Sequence, residues 1–319
     1  MKKKISFVVP VFNEEENIEF FYEQVSEMTE SLKQRYNFEF VFTDNHSHDK
    51  TWQLLEAIAK RDPRVHIIRF SRNFGYQKSI LTGYLNATGD AAVQLDCDLQ
   101  DPIGLVPEFL NLWEQGYQVV FGIRRTREEG FLIHALRKIY YRFVSVISDQ
   151  NLPVDAGDFR LVDRRILEEI RLVKDDSPYL RGIISEMGFR QIGIPYDRQA
   201  RTRGKSKFSW ANLFVLGVDG IINHSVMPLR IVFYSGMVFF LLTSVGILGV
   251  FISHWLIGSH WPRGFTTIVL IQLFSLSINT LFLGIIGAYI GRIFNQVKNK
   301  PLTIVESEKH FSKNLGEQS

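Results

Sequence analysis

Two stretches near the end of the chain limit it most. Residues 231–258 and 265–291 contain no Asp, Glu, Lys or Arg. Each is longer than the roughly 20 apolar residues that cross a bilayer. Each is also apolar on every face, unlike a helix that buries one stripe against a soluble core. Two transmembrane helices are therefore expected within 231–291. The link between them, "SHWPRG", has Trp255 and Trp261 nearby, as suits a membrane–water interface. Arg230 precedes the first run, and Arg292, Lys298 and Lys300 follow the second. The positive-inside rule then places both termini in the cytoplasm and the link outside. The expected organisation is a cytosolic domain (1–208), an interfacial amphipathic segment (209–230), two spans and a cytosolic tail (292–319). Residues 131–148, "FLIHALRKIYYRFVSVIS", read equally as a helix on the membrane surface or one packed on the soluble domain.

The first 200 residues have a different pattern. "KISFVVPVF" reads as a strand and 14–36 as a helix; "FEFVFTD" is a strand and "KTWQLLEAIAKR" a helix. "VHIIRFS", "YQKSILTGYLNA", "AAVQLD", "GLVPEFLNLWEQG" and "QVVFGIR" continue the alternation. Strands followed by helices of this length imply an α/β domain with a largely parallel sheet, covered on both faces. The basic start "MKKK" resembles a signal peptide, but its apolar run is short, holds Pro10 and ends at "NEEEN". It is read as a buried first strand. A net charge of +3 over 319 residues is too small to argue for nucleic acid. The single cysteine, Cys97, excludes an internal disulfide and a thiolate zinc site, and fits a reducing compartment.

Ligands of such sheets bind beyond the carboxyl ends of the strands. In "TDNHSHDKT", Asp49 can cap the next helix, which leaves Asp44 available to a base or ribose. In "VQLDCDLQDP", Asp96 and Asp98 alternate by two, so an extended chain would turn both carboxylates to one side. Two convergent carboxylates suit a hard divalent cation, Mg²⁺ or Mn²⁺, with positions left for substrate phosphates. Gln100 continues the period, whereas Asp101-Pro102 reads as the start of a helix. Arg124 and Arg125 follow a strand and can hold phosphate oxygens. "VDAGDFRLVDR" sets Asp155, Asp158 and Arg160 around Gly157, which permits an unusual backbone angle. Either these acids position an acceptor, or Asp158 and Arg160 form a local ion pair. "ARTRGKSKFSW" is basic and rich in small residues, but Gln199 stands where a P-loop needs glycine.

Taken in order, "VVPVFNEEENI", "DNHSHDKT", "RNFGYQKSI", "DCDLQDP", "DAGDFRL" and "RTRGKSK", followed by two spans, resemble the membrane-anchored polyprenyl-phosphate glycosyltransferases of glycosyltransferase family 2. Within that family the pattern is most similar to the bactoprenol (undecaprenyl-phosphate) glucosyltransferases and more distantly to dolichol-phosphate mannose synthase. The resemblance implies a GT-A, Rossmann-like fold in the cytoplasmic membrane. It implies inverting transfer of a hexose, glucose from UDP-glucose first, from a nucleotide-sugar donor to a polyprenyl phosphate. It places Pro10, Glu14 and Asp44 along the nucleotide, with Asn45 beside them where many relatives carry a second acid. It assigns Asp96, Asp98 and Gln100 to the metal and diphosphate; Asp155 and Asp158 are read beside them as catalytic residues that position the acceptor or sugar more than they take a proton. Arg124, Arg160, Arg201, Ser206 and Lys207 would meet the phosphates of donor or acceptor. The lipid bilayer, a homo-oligomer and a downstream flippase for the lipid-linked sugar are the implied partners. Three alternatives stay open: another donor (N-acetylglucosamine, mannose or an aminoarabinose derivative), a silent nucleotide-sugar-binding scaffold, and a processive synthase. Two spans and the lack of Q-x-x-R-W weigh against the last.

Overall fold

The computed structural model describes residues 2–125, 156–173, 175, 178–198, 229, 232–238, 241–242, 245, 252, 264–298 and 300–310. Arg201, Ser206, Lys207 and Asp155 lie outside these residues, as do 131–148 and nearly all of 209–230.

The alternation becomes β1 (Lys3–Val11), α1 (Ile18–Leu32), β2 (Tyr36–Asp44), α2 (Thr51–Arg61), β3 (Val65–Phe70), α3 (Tyr76–Asn86) and β4 (Ala91–Gln94). A short 3₁₀ turn leads into α4 (Val106–Glu114), then β5 (Val119–Arg124). The chain continues with β6 (Ala156–Asp163), α5 (Arg164–Leu172), α6 (Leu180–Glu186) and β7 (Gln191–Tyr196). After α7 (Phe265–Val297) comes a last strand, β8 (Val305–His310). The helix read over 14–36 is shorter than expected, because 12–17 form a turn against the loop after β2.

One sheet runs in the order β7-β5-β6-β4-β1-β2-β3-β8. Six of its strands run parallel to one another, and β6 and β8 run against them. The sequence gives no sign of either reversal. The tail read over 292–319 in fact supplies β8, which pairs with the β3 edge.

Strand β1 shows why the sheet is covered twice. Side chains alternate along a strand, so Ile5, Phe7 and Val9 enter one core with α1, α2 and α4. Val8 points the other way, into a core with Ile80, Leu81 and Tyr84 of α3 and with Ile166 and Ile170 of α5. Pro10 lies beyond Val8–Gln94, the last β1–β4 register pair, so it removes no donor from that ladder. Helix α3 approaches β1 so closely that a β-carbon at Gly83 would collide with the Val8 side chain. Gly83→Val is expected to cost about 1–3 kcal/mol of stability by overpacking. A thermal unfolding midpoint equal to that of the parent would refute this close contact.

Among the described residues, α7 is the one helix long and apolar enough to cross a membrane. Its window Phe274–Gly291 has a mean hydropathy of 1.6. Ile271, Phe274, Leu283 and Ile290 are exposed along it. Most of the other run, 231–258, lies outside the described residues.

Candidate active site

The described non-glycine residues with positive φ are Asn13 (55°), His46 (61°) and Leu99 (52°). Each follows a central strand at its carboxyl end: β1, β2 and β4. Such backbone costs energy and persists where its surroundings fix it, commonly at functional sites. Here the fixing is visible. The Asn13 amide donates to Ser47 Oγ (2.9 Å), and Asn13 Oδ1 accepts from the His48 amide (2.9 Å). The Glu14 amide donates to Thr51 Oγ1 (2.8 Å), and Glu14 Oε2 accepts from Asn17 (2.6 Å). Asp49 Oδ1 accepts from the Thr51 amide (3.0 Å) just ahead of α2, whose N-cap position is Lys50.

Asp44 ends β2 and is fully buried. Its Oδ1 accepts from the amide (3.0 Å) and the hydroxyl (2.5 Å) of Ser47. Its Oδ2 has no hydrogen-bond partner. Asp44 is therefore only half available, since one oxygen serves the turn. Burial pushes its carboxyl up, against the Ser47 bonds and the Arg69 charge. Asn45, also buried, accepts from the Phe74 amide through Oδ1 (3.3 Å).

Strand β4 stops at Gln94, so Asp96 and Asp98 do not share an extended strand, contrary to the period-two expectation. They occupy a turn that the positive φ of Leu99 closes. Asp96 Oδ1 accepts from Tyr76 Oη (2.5 Å) and Gln94 Nε2 (2.8 Å). Burial pushes the Asp96 carboxyl up to about 7; the Tyr76 bond opposes this, and the charges of Asp101, Asp158 and Asp98 add to it. Asp98 Oδ1 accepts from the Gln100 amide (3.2 Å).

The reversed strand β6 brings in Asp158. Gln94 pairs with Arg160 in the antiparallel register. Asp158 lies two residues before Arg160 on β6, near enough for its charge to add to the rise of the Asp96 carboxyl. The alternative of a local Asp158–Arg160 ion pair is not what forms. Asp158 meets Arg181, with Oδ1 to Nε at 2.9 Å and Oδ2 to Nη2 at 2.6 Å, and Gln77 adds a longer bond at 3.4 Å. Burial alone would raise the Asp158 carboxyl, but the Arg181 guanidinium outweighs it and holds the group below the usual carboxylate range. Arg160 is buried and donates to the Gly157 carbonyl (2.9 Å). Gly157 itself is not among the positive-φ residues. It supplies space instead, since a β-carbon there would lie 3.4 Å from the Arg124 guanidinium.

Arg124, at the end of β5, donates from Nε to Tyr196 Oη (3.1 Å) and from Nη2 to Asp101 Oδ2 (3.4 Å). Tyr196 donates to Asp101 Oδ1, and Arg198 Nε stands 3.6 Å from the same oxygen. Asp101 is thus not helix-starting punctuation but the buried acid that holds two guanidinium groups. Burial would lower the Arg124 pKa, and the Asp101 charge raises it instead. Arg125 is exposed, 3.7 Å from Asp197.

Tyr76, Gln77, Gln94, Arg181, Tyr196 and Arg198 had no place in the sequence reading. Tyr76 and Gln77 fall inside the quoted motif "RNFGYQKSI", which was a signal for them. Gln94 falls inside "VQLDCDLQDP", and the other three are single residues with no local pattern.

Among the described residues no three His, Cys, Asp or Glu side chains gather into a metal cluster. The donors still fit a hard cation of the magnesium type, which takes one or two carboxylates and completes its shell with water and substrate phosphates. Burial, with the charges of Asp101, Asp158 and Asp98 behind it, disfavours the ionised Asp96 carboxylate, a cost that a cation would relieve, and the buried Gln94 Oε1 beside it lacks a partner.

A largely parallel sheet with acids gathered at its carboxyl edge is an α/β arrangement of the GT-A-like kind. Comparison with known proteins makes this specific. Residues 6–171 match the family described as Glycosyl transferase family 2, and the chain belongs to that family. It is 38% identical to the uncharacterized glycosyltransferase YkcC of Bacillus subtilis over 304 residues, covering 94% of this chain and 93% of that protein. It is 36% identical to the bactoprenol glucosyl transferase of Shigella phage SfV over 308 residues, covering 96% of this chain and 99% of that protein. A solved structure, the mannosyltransferase PcManGT from Pyrobaculum calidifontis in complex with GDP-Man and Mn²⁺, aligns at 17% identity with a TM-score of 0.47. That alignment covers 94% of this chain and 87% of the other. The protein is a glycosyltransferase.

Proposed function

We propose that this glycosyltransferase moves a hexose, glucose from UDP-glucose first, onto undecaprenyl phosphate at the cytoplasmic face of the membrane, with inversion. One observation supports it above the others. A single sheet edge gathers Asp44, Asp96, Asp158 and the Asp101-bound Arg124, in a chain whose near-full-length relatives include a bactoprenol glucosyl transferase.

An acceptor phosphate oxygen forms the new bond to the anomeric carbon, and the bond from that carbon to the nucleoside diphosphate breaks. Asp44, Asn45, Pro10 and Glu14 line the nucleoside. Asp96 and Asp98, with Gln100, would hold Mg²⁺ or Mn²⁺, which when bound neutralises charge on the departing diphosphate. Arg124 and Arg198, tethered by Asp101, present guanidinium groups to phosphate oxygens, and Arg201, Ser206 and Lys207 add to these. A phosphate monoester has a second pKa of about 6, so the acceptor is mostly ionised at neutral pH and needs no strong base. Asp158, kept ionised by Arg181, orients the sugar or acceptor rather than taking a proton. The two uncharged runs anchor the enzyme where a polyprenyl phosphate presents its headgroup.

The test is a membrane assay with undecaprenyl phosphate and a panel of labelled nucleotide-sugars, with and without EDTA. Transfer from UDP-glucose is expected, reduced more than about tenfold by EDTA and restored by Mg²⁺ or Mn²⁺. Transfer from none of the donors would refute the function. Transfer untouched by EDTA would refute the metal role alone.

A further inference from the structure

We propose that Glu306, carried by the C-terminal strand β8, is a positioning residue for the nucleotide-donor site. It draws the Arg69 guanidinium away from Asp44, so that one Asp44 carboxylate oxygen stays free for a hydrogen-bond donor on the nucleoside. The inference rests on the donor reading above and extends it to a part of the chain far from the motifs.

Three observations converge. The first is the free oxygen itself. Asp44 Oδ2 is buried and lacks a hydrogen-bond partner, an arrangement that costs free energy and calls for an explanation. The second is the position of the nearby cation. Arg69 Nε stands 3.8 Å from Asp44 Oδ2, outside hydrogen-bond reach, and 3.2 Å from Glu306 Oε2. Its Nη2 donates to the Ser47 carbonyl (3.2 Å), and its guanidinium lies 5.4 Å from the Trp52 ring. The third is how Glu306 gets there. Arg69 pairs with Ser307 and Phe70 with Val305, so Glu306 is the extra residue of a β-bulge. Bulges re-aim side chains and recur beside active sites.

Glu306 is not what holds the strand in place. The ladder with β3, the Ser71 amide on the Ile304 carbonyl (2.9 Å) and the Lys309–Glu56 ion pair do that. Its own contacts are Arg69 and His46 Nδ1 (3.2 Å). Both face the Asp44 turn. Without the Glu306 charge, Asp44 is the acid left beside Arg69. The guanidinium then closes the gap and takes the oxygen that a nucleoside would use.

The experiment measures UDP and GDP binding to the full-length protein in detergent by calorimetry, for the parent, Glu306→Gln and Glu308→Gln. Glu308 lies on the same strand and makes a similar exposed contact, but faces away from Asp44. Glu306→Gln is expected to weaken nucleotide binding about fivefold, or ~1 kcal/mol at 1.4 kcal/mol per tenfold. Glu308→Gln should bind as the parent does, and both should unfold at the parent's temperature. Unchanged or tighter binding by Glu306→Gln would overturn the proposal, as would equal losses in both variants. If the parent binds neither nucleotide, the donor reading itself fails, and that result is distinct from a failure of Glu306 alone.

Discussion

Asp96→Asn is expected to lower kcat/KM for sugar transfer by at least about 100-fold and to leave the fold intact. Losing one preorganised charge-stabilising group costs roughly 100- to 1000-fold in enzymes that stabilise a developing anion, and in the proposed mechanism Asp96 would hold the cation that meets the diphosphate. The amide keeps the shape and still accepts from Tyr76 and Gln94. Stability should move the other way. The carboxyl ionises near 3.8 in the unfolded chain and near 7 in the folded one. Between those values the folded chain carries the extra proton, so metal-free stability falls as pH rises through that window. Asparagine removes the penalty. In EDTA, the variant's melting temperature should gain on the parent's as pH is raised from about 5 to 8. Activity within tenfold of the parent would remove Asp96 from the mechanism.

Arg181→Met should cost ~2 kcal/mol at neutral pH. Breaking a buried ion pair costs about 3–5 kcal/mol because a charge is left uncompensated. The figure is discounted because the Arg181 side chain is 32% exposed, against 10% for Asp158. The pH dependence follows from the sign of the shift. With Arg181 present, the depressed Asp158 pKa contributes stability above the ordinary carboxylate pKa, lost only as pH falls through the folded value. Without Arg181, burial dominates and the carboxyl resists ionising, so the deficit grows as pH climbs above about 4. Asp158→Asn in the Arg181→Met background should recover part of the loss. Thermal unfolding at two pH values checks both statements. A deficit equal at acid and neutral pH would mean that packing, not charge, links the pair.

The strand–helix alternation made β1 to β5 legible, because each strand is an apolar run bounded by a helix of ordinary length. Strand β8, "VESEKH", was not legible. It is a charged, half-exposed edge strand with little apolar surface, and its identity depends on a β3 edge that no local window contains. The acids themselves were legible as residues and less so in their roles. Asp96 and Asp98 stood out, but the argument from alternation failed because the strand ends at Gln94. Asp101 looked like punctuation because Tyr196, its partner, is 95 residues away. Asp158 stood out too, yet its place beside Asp96 depends on the reversed direction of β6, which hydrophobic pattern does not encode.

The late position of β8 also sets an order of synthesis. Glu308 pairs with His66 across 242 residues of chain. The β3 edge is therefore made early and receives its neighbour only after the ribosome has finished the long apolar helix. For most of translation the nascent sheet presents an unpaired row of amides and carbonyls, the kind of edge that recruits foreign strands. A message cut short after that helix would yield a product that carries the open edge, a natural mark for chaperones and proteases to act on.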